Sequence, residues 1–383
     1  MQSRFPKQET KGIPGTVSLN ITTNMRFFFF CSFVFTSIYC FAQPLKTENL
    51  VIVTLDGMRW QEVFGGADPI IMNDQRFDRD SSTMAYLFGG GERTERRQKL
   101  FPFLWGTVFA QGQLYGDRLS GSEVNNANPY KFSYPGYNEL FTGYPDPVIN
   151  SNKKIKNPNT NVLEFIQKQK GFQGHIAVFS TWNVIPYILN TWRNGIYVNS
   201  DVDTLKFDNP SLKLVNSMQF LEAKPLGFRL DLLTYFAGRE YLKVKKPRVL
   251  YIAFDETDDF AHAGLYDQYL KSAHAEDGMI QDLWNTLQAM PEYRGKTTLM
   301  VTCDHGRGDQ IKEQWTDHGE KIQDAGQIWI AVLGPDTRAE GLVKTPVPLY
   351  QKQIAPTLAA LLGFQFMPDQ GMAEPIKSIY YSF

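Results

Sequence analysis

The chain has 383 residues, enough for one large domain or two modest ones. Hydrophobic residues make up 43% of it and charged residues 21%, a composition that is ordinary for a globular protein and excludes a largely disordered chain. The formal net charge of −1 gives no electrostatic basis for binding a nucleic-acid polymer or an anionic membrane, so we expect neither as a partner.

The first 42 residues are predicted to form a signal region, residues 1–42. Phe27–Ala42 is a mostly apolar run of 16 residues, which is short for a membrane span and typical of a signal peptide. Met25 is predicted to be the true start, with cleavage after Ala42, and an uncleaved N-terminal anchor is the alternative. Only Cys303 follows this region, so the mature chain cannot form an intramolecular disulfide. We expect a periplasmic or secreted protein whose mature form has no stable membrane span.

Apolar, β-branched runs alternate with helical stretches along the rest of the chain. Continuous apolar runs of this kind are typical of buried parallel strands. The predicted strands are Leu50–Leu55, His175–Phe179, Arg248–Phe254, Thr297–Thr302 and Gln327–Leu333, and the clearest predicted helices are Asn161–Gln169, Leu265–Leu287 and Gln351–Leu362. This alternation predicts an α/β fold, with a mostly parallel sheet and helices on both of its faces.

Two regions interrupt this alternation. Residues 65–99 are rich in charge and glycine, which favours a solvated surface insertion, and residues 187–244 have a mixed pattern and are predicted to form a cap over the site. We find no internal repeat and no Pro/Ser-rich linker. The sequence therefore predicts one domain, 43–383, with two insertions.

Carboxylates and imidazoles follow the predicted strands, where ligands gather in open α/β sheets. Asp56 follows the first strand, Asp258 and His262 follow the third at a spacing of four, and Asp304-His305 and His318 come after the fourth. A spacing of four places two side chains on one face of a helical turn. Three of the chain's five histidines lie in these motifs. A mixed Asp/His set suits Zn²⁺, or else Mn²⁺ or Fe.

Ser133 is the candidate nucleophile. It precedes Pro135-Gly136 and a short predicted helix. A serine at this place can cap the helix, or it can use the same helix N-terminus to stabilise an alkoxide or a phosphate. A bound metal would lower the pKa of its hydroxyl enough for nucleophilic attack near neutral pH.

In this order, the motifs resemble those of the alkaline phosphatase superfamily, which includes phosphatases, nucleotide pyrophosphatase/phosphodiesterases, phosphoglycerate mutases and sulfatases. The likeness runs in pieces from Leu50 to about Phe364, and Ile354–Gly363 resembles the C-terminal helix of that superfamily. The run from Ser133 to Pro145 looks most like the phosphodiesterase branch, where a threonine commonly takes the serine's place. The sulfatase branch is disfavoured, because the Cys/Ser-x-Pro-x-Arg motif lacks its arginine here.

The resemblance implies a role for each motif. Two divalent metals, Zn²⁺ or else Mn²⁺, would clamp the phosphoryl group of a small-molecule phosphate ester, and Ser133 would form a phosphoserine. An asparagine that binds a phosphate oxygen would be Asn152 or Asn150. Asp258 is preferred to its neighbours Asp255 and Asp259 because of its spacing to His262. The implied ligands of one metal are Asp56, Ser133, Asp304 and His305, and those of the other are Asp258, His262 and His318.

Several choices stay open at this point. Arg59, Arg193 and Arg307 are further phosphate-binding candidates, although a structural role is favoured for each. Trp182, Tyr187, Trp192 and Tyr197 could stack on a base or sugar, or simply pack in the core. The alternatives to a phosphate-ester hydrolase are a phosphoglycerate-mutase-type phosphotransferase and a non-catalytic protein that binds phosphate or glycans.

Overall fold

The structure is a computed structural model that describes residues 45–224, 227–367 and 373–380. These residues belong to one unit, residues 42–383. The predicted signal region, with Met25 and the cleavage point after Ala42, lies outside the described residues. In the described part of the chain, no helix combines the length and the apolar character that crossing a membrane requires.

Eight strands form the main sheet, in the order β10-β2-β9-β7-β1-β6-β4-β5. The strands are β1 (Asn49–Leu55), β2 (Gln113–Tyr115), β4 (Ile176–Ser180), β5 (Tyr197–Ser200), β6 (Val249–Phe254), β7 (Thr297–Thr302), β9 (Ile330–Leu333) and β10 (Gly341–Leu342). All neighbouring pairs are parallel except those of β9, which runs antiparallel to both β7 and β2. The predicted class, a mostly parallel α/β sheet, is confirmed.

One predicted strand is in fact two. Gln327–Leu333 divides at Trp329 into β8 (Gln327–Ile328) and β9. β8 pairs with β3 (Val124–Asn125), which also pairs with β11 (Leu349–Tyr350), in a small second sheet. The indole of Trp329 donates to the carbonyl of Met58 at 3.0 Å, so its side chain is fixed where the chain passes from one sheet to the other.

Helices cover both faces of the main sheet. The helices are α1 (Trp60–Gly65), α2 (Pro69–Met72), α3 (Ser81–Phe88), α4 (Arg93–Leu100), α5 (Phe109–Gln111), α6 (Ser133–Thr142), α7 (Val162–Gln167), α8 (Ile185–Ile188), α9 (Thr191–Asn194), α10 (Pro210–Leu221), α11 (Asp231–Lys245), α12 (Glu256–His262), α13 (Tyr266–Ala289) and α14 (Ile354–Leu361). Tyr251 on β6 contacts Phe141 of α6 with ring centroids 4.7 Å apart. Its neighbour Ile252 lies against Gly238 of α11. Because successive side chains of a strand point to opposite faces, α6 and α11 lie on opposite sides of the sheet.

The two predicted insertions contain regular structure. Residues 65–99 hold α2, α3 and α4, and their buried side chains include Ile71 and Met84. Residues 187–244 supply β5, which forms one edge of the main sheet, and α11, which packs on β4 and β6. That these regions are insertions, and that the second is a cap, stays a prediction.

Candidate active site

Adjacent parallel strands bring the first group of ligating side chains together. Asp56 directly follows β1, while Asp304 and His305 follow the neighbouring β7. His305 Nε2 lies 3.4 Å from Asp56 Oδ1 and 3.4 Å from Asp304 Oδ2. All three side chains are buried. We call these residues the first triad, because one atom of each could contact the same ion.

A second triad consists of Asp258, His262 and His318. The first two lie on α12, which follows β6, and the third lies in the loop after the 3-10 helix Lys312–Thr316. His262 Nε2 is 2.9 Å from His318 Nε2 and 3.2 Å from Asp258 Oδ2. Asp258 is buried and His262 is exposed, so this triad lies at the solvent side of the site.

The two triads adjoin one another. His305 Nε2 of the first lies 3.9 Å from Asp258 Oδ1 of the second. The rings of His305 and His318 are 4.1 Å apart between centroids. Two cations held by these triads would therefore be near enough to share one bound group.

Ser133 lies at the edge of the first triad. Its hydroxyl is 3.3 Å from His305 Nε2 and 3.5 Å from Asp56 Oδ1. The capping alternative is wrong, because Phe132 occupies the N-cap position and Ser133 is the first residue of α6. Pro135 and Gly136, predicted to precede the helix, lie in its first turns. The hydroxyl is thus directed at the triad rather than at the helix backbone.

Two buried hydroxyl groups that the sequence analysis missed also hold Asp56. Tyr137 donates to its Oδ2 at 2.9 Å, and Thr257 donates to its backbone carbonyl at 2.7 Å. Tyr137 follows Ser133 by four residues on α6, so helical spacing places both on one face. That spacing was readable in the sequence once Ser133 had been singled out.

Asn152 lies beside the N-terminus of α6. Its side-chain oxygen accepts from the backbone N–H of Tyr134 at 2.9 Å, which leaves its amide N–H₂ group for a ligand near Ser133. Both asparagines are exposed, but among the described residues no hydrogen bond ties Asn150 to this helix. Of the two asparagine candidates, the geometry favours Asn152.

The three candidate arginines are all bonded to protein groups, Arg307 within the site and the other two away from it. Arg307 bonds to Asp258 Oδ1 and to the carbonyls of Trp315 and Thr316, so it supports the second triad and the loop that leads to His318. Arg59 binds Glu62, the carbonyl of Gly308, and Asp309. Arg193 binds Glu164 and the carbonyl of Asn159. The favoured structural role fits all three.

The remaining sequence candidates divide in the same way. His274 bonds to the carbonyl of Leu100 and His175 is exposed, and neither joins a triad. Trp182 packs 6.4 Å from the ring of Tyr137 and so borders the site. Two other aromatic candidates pack elsewhere: Tyr197 stacks on Tyr241, and Trp192 lies under Lys156. Within the described ranges, no ring contact of Tyr187 places it at the site or away from it.

Negative charge accumulates in the first triad. Burial, and then the charge of Asp258, raises the pKa of Asp56, while burial and Asp56 raise the pKa of Asp304 well above its usual range. Burial lowers the pKa of His305, but the charges of Asp304, Asp56 and Asp258 outweigh it and bring that pKa to about 9. For His318, burial and the charge of His305 lower the pKa to about 2. Carboxylates crowded in this way are neutralised either by protons or by a bound cation.

The donor atoms fit two metal ions. Asp304 Oδ2 in the first triad is buried without a hydrogen-bond partner, which is costly unless something else satisfies it. Each triad combines carboxylate oxygen and imidazole nitrogen, a set suited to Zn²⁺ or Mn²⁺. Gly57 keeps the approach between the triads open, since a Cβ there would lie 2.5 Å from Asp258 Oδ1.

Comparisons with known proteins agree with this arrangement. The family model described as type I phosphodiesterase / nucleotide pyrophosphatase matches residues 71–348. A search of curated proteins finds no significant match. The fold is similar to that of the alkaline phosphatase PafA, with a TM-score of 0.62, 11% identity, and coverage of 89% of this chain and 100% of that one.

Two further structures share the fold. The lipoteichoic acid synthase LtaP from Listeria monocytogenes has a TM-score of 0.54 and 13% identity, covering 83% of this chain and 72% of that one. BT1596, a 2-O GAG sulfatase, has a TM-score of 0.54 and 13% identity, covering 87% and 74%. Identities this low establish a common fold and leave the reaction to the site itself.

Proposed function

The chain belongs to the type I phosphodiesterase / nucleotide pyrophosphatase family, and from that premise we propose that it is a two-metal hydrolase of phosphate esters that forms a phosphoserine at Ser133. One observation carries the proposal. Two Asp/His triads adjoin one another, and the Ser133 hydroxyl lies 3.3 Å from His305, the residue that links them. A nucleophile, paired cation sites and a helix N-terminus thus meet at one place.

The residues that would hold the ions are those of the two triads, with Ser133 as a further ligand on the first. When bound, such ions lower the pKa of a coordinated hydroxyl and neutralise charge on the transferring phosphoryl group. Zn²⁺ and Mn²⁺ both suit these ligands. Tyr137 would orient Asp56 through the hydrogen bond to its Oδ2.

The reaction would run in two displacements. Ser133 Oγ attacks phosphorus in line, a P–Oγ bond forms as the bond to the leaving oxygen breaks, and the serine proton ends on the leaving alcohol. Water then attacks the phosphoserine, releasing phosphate or a phosphate monoester and restoring Ser133. Asn152 would bind a non-bridging phosphoryl oxygen through its side-chain N–H₂ group, and the N-terminus of α6 would favour the anion.

We propose a small-molecule phosphate ester as the substrate. Trp182, beside Tyr137, offers an aromatic face to a leaving group. Nothing in the composition favours a nucleic-acid polymer. Transfer of the phosphoryl group to a second alcohol, as in a phosphoglycerate mutase, would use the same nucleophile and is an outcome that the test below separates.

The test is an assay of purified protein loaded with Zn²⁺ and then with Mn²⁺ on three chromogenic esters, a phosphate diester, a phosphate monoester and a sulfate. Ser133→Ala should abolish turnover while ion content stays near two per chain. Ser217→Ala is the matched control, since Ser217 bonds only within the exposed helix α10 and its loss should change neither quantity.

Each outcome decides something. Full activity in Ser133→Ala would exclude the phosphoserine. Two bound ions without turnover of any ester would favour the non-catalytic binding protein. Phosphoryl transfer to an added alcohol in excess of hydrolysis would favour the phosphotransferase. Turnover of the sulfate alone would place the chain with the sulfatases in activity.

We further propose that the protein is exported to the periplasm or secreted. The apolar run Phe27–Ala42 supports this, being of signal-peptide length. Cell fractionation and N-terminal sequencing test it, with a mature protein that begins at Gln43 as the expected result. A protein retained in the cytoplasm with Phe27–Ala42 intact would contradict it.

A further inference from the structure

A buried carboxylate, Asp231, joins two helix starts beneath the second triad. Its side chain is fully buried at the first residue of α11. It accepts hydrogen bonds from the backbone N–H groups of Asp255, at 3.0 and 3.1 Å, and of Glu256, at 2.8 Å. In return the Asp231 N–H donates to Glu256 Oε1 at 3.0 Å. The first turns of α11 and α12 are therefore bonded to each other in both directions.

These hydrogen bonds between α11 and α12 determine where two proposed metal ligands lie. α12 has only seven residues and carries Asp258 and His262. The backbone N–H of Asp258 bonds to the carbonyl of Asp255 at 3.0 Å, so Asp258 is fixed to the same turn that Asp231 holds. A helix this short has little stability of its own. Its placement depends on contacts such as these.

Glu276, on α13, lies on the far side of Asp231 and has an unusual environment. It is fully buried, and neither of its carboxylate oxygens has a hydrogen-bond donor. Burial first, and then the charges of Asp231, Glu256 and Asp56, raise the pKa of Glu276 well above its usual range. An ionised carboxylate with no donor and three acidic neighbours would be strongly destabilising. A neutral acid at this place avoids that cost.

A proton suits this place better than a cation. Asp231 already accepts donors on both of its oxygens, from the two backbone N–H groups and from the Thr181 hydroxyl at 2.5 Å. A cation between Asp231 and Glu276 would have to compete with these donors. A protonated Glu276 instead offers an O–H donor to Asp231 from α13, without displacing the donors that Asp231 already has.

We propose that Asp231 is the positioning residue of the second triad: its carboxylate holds the first turn of α12 so that Asp258 and His262 meet His318, and Glu276 supports it as an uncharged acid. The proposal rests on the proposed function, since it assumes that the second triad binds an ion. Asp231 touches neither substrate nor ion and acts through the backbone of α12.

The first experiment measures Zn²⁺ affinity for both sites by titration of the full chain. Asp231→Ala should weaken one of the two ions by about tenfold or more, as loss of an outer partner of a metal ligand does. Asp231→Asn should restore most of that affinity. Its oxygen can still face the N–H groups of α12 while its amide donates to Thr181, whose hydroxyl can accept.

Asp277→Ala is the matched control. Asp277 is the next residue on α13, is equally buried, and accepts the backbone N–H groups of Phe103 and Leu104 at 2.7 and 3.1 Å. Its loss should lower stability but leave both ion affinities unchanged. An equal loss of ion affinity in Asp277→Ala would reduce the effect of Asp231 to general destabilisation and overturn the proposal, as would wild-type affinity in Asp231→Ala.

The second experiment tests the part of the proposal that concerns Glu276, and it does not require Asp231→Ala to fold. It compares thermal unfolding of Glu276→Gln and the wild-type protein from pH 5 to pH 8, with zinc saturating. In the unfolded chain the pKa of Glu276 is near 4.5, and in the folded chain it is higher. As the pH rises above 4.5, the unfolded chain therefore loses this proton first, and the free energy of unfolding falls. The glutamine variant has no such proton to lose, so its melting temperature should rise relative to wild type with increasing pH. A constant or shrinking difference would overturn the neutral state of Glu276.

The two proposals fail in distinguishable ways. If the wild-type protein binds fewer than two ions, the proposed function fails before Asp231 is tested. If the wild type binds two ions and hydrolyses esters, while Asp231→Ala binds both as tightly, only the positioning role fails.

Discussion

Gly136 lies where α6 passes close to the first triad. A Cβ built on it would lie 2.4 Å from the carbonyl oxygen of Asp304, so any side chain must push α6 away from the proposed metal ligands. Ser133 is on the preceding turn of the same helix. A glycine at this position therefore allows the hydroxyl to reach His305.

We predict that Gly136→Ala lowers kcat by about 100-fold, because displacements near 1 Å at a reacting group have effects of that size. Gly278→Ala is the control, since Gly278 is also helical but has no atom within 4 Å of its built Cβ. It should retain activity and gain about 0.5–1 kcal/mol of stability. Steady-state kinetics gives kcat and thermal unfolding gives the stability of both variants. Wild-type kcat in Gly136→Ala would show that α6 can shift without harm.

At the residue scale, the sequence predicted which ligands meet but not what holds them. Asp56, Asp304 and His305 were found because they follow strands of one sheet, where strand ends place side chains along one edge. Tyr137 was overlooked although its spacing of four from Ser133 was readable, whereas a buried Asp in a helix, such as Asp231, carries no signal. The sequence did not identify the partner of either residue. Those partners, Asp56 and the first turn of α12, are distant in sequence and meet only through tertiary packing.

At the scale of elements, α1 is tied to the loop after β7 by a buried ion pair. Arg59 and Glu62 bond at 2.9 Å with both side chains fully buried, and Arg59 also donates to the carbonyl of Gly308 at 2.8 Å. Tyr266 on α13 donates to Glu62 at 2.9 Å. The Arg59–Glu62 pair thus joins α1, α13 and the loop that carries His305.

We predict that Arg59→Met destabilises the fold by about 3–5 kcal/mol, because it leaves Glu62 buried and unpaired. Arg59→Met combined with Glu62→Gln should recover part of this loss, since the unpaired charge is gone. Lys213→Met is the control, since its pair with Asp208 is exposed and its loss should cost no more than about 1 kcal/mol. Urea unfolding measures all three. A loss from Arg59→Met no larger than that of the control would contradict this role for the pair.

Helices and strands with a long apolar pattern were predicted correctly. One shorter apolar run was predicted as a single strand although it forms two. The six apolar residues from Ile328 to Leu333, with Gln327 before them, predicted one strand. The structure breaks this run at Trp329 and reverses β9 relative to β7. Strand direction depends on the connection between strands, and the sequence between β7 and β9 has no helix pattern that would have fixed it.

At the scale of the whole molecule, the mostly parallel sheet was predictable because its central strands are buried on both faces and carry continuous apolar runs. The edge strands β5 and β10, and β2 next to β10, are two to four residues long, too short for such a signal. Residues 187–244 supply β5 and α11, which join or pack on the sheet, and no local pattern encodes such tertiary packing.

Removal of bound metal should destabilise the whole molecule. The folded chain concentrates Asp56, Asp304 and Asp258 in one region, and burial raises the pKa of the first two. Ions that bind only the folded state stabilise it by about 4 kcal/mol per site when free ion is at 1,000 times Kd. Chelation should therefore lower the melting temperature and Zn²⁺ should restore it.

His262→Ala should bind one ion and show a smaller shift in melting temperature than wild type, while Asp304→Asn should disturb the other site. An unchanged melting temperature of the wild-type protein under chelation would mean that the triads hold no ion, because removal of a bound ion must remove the stability that its binding adds.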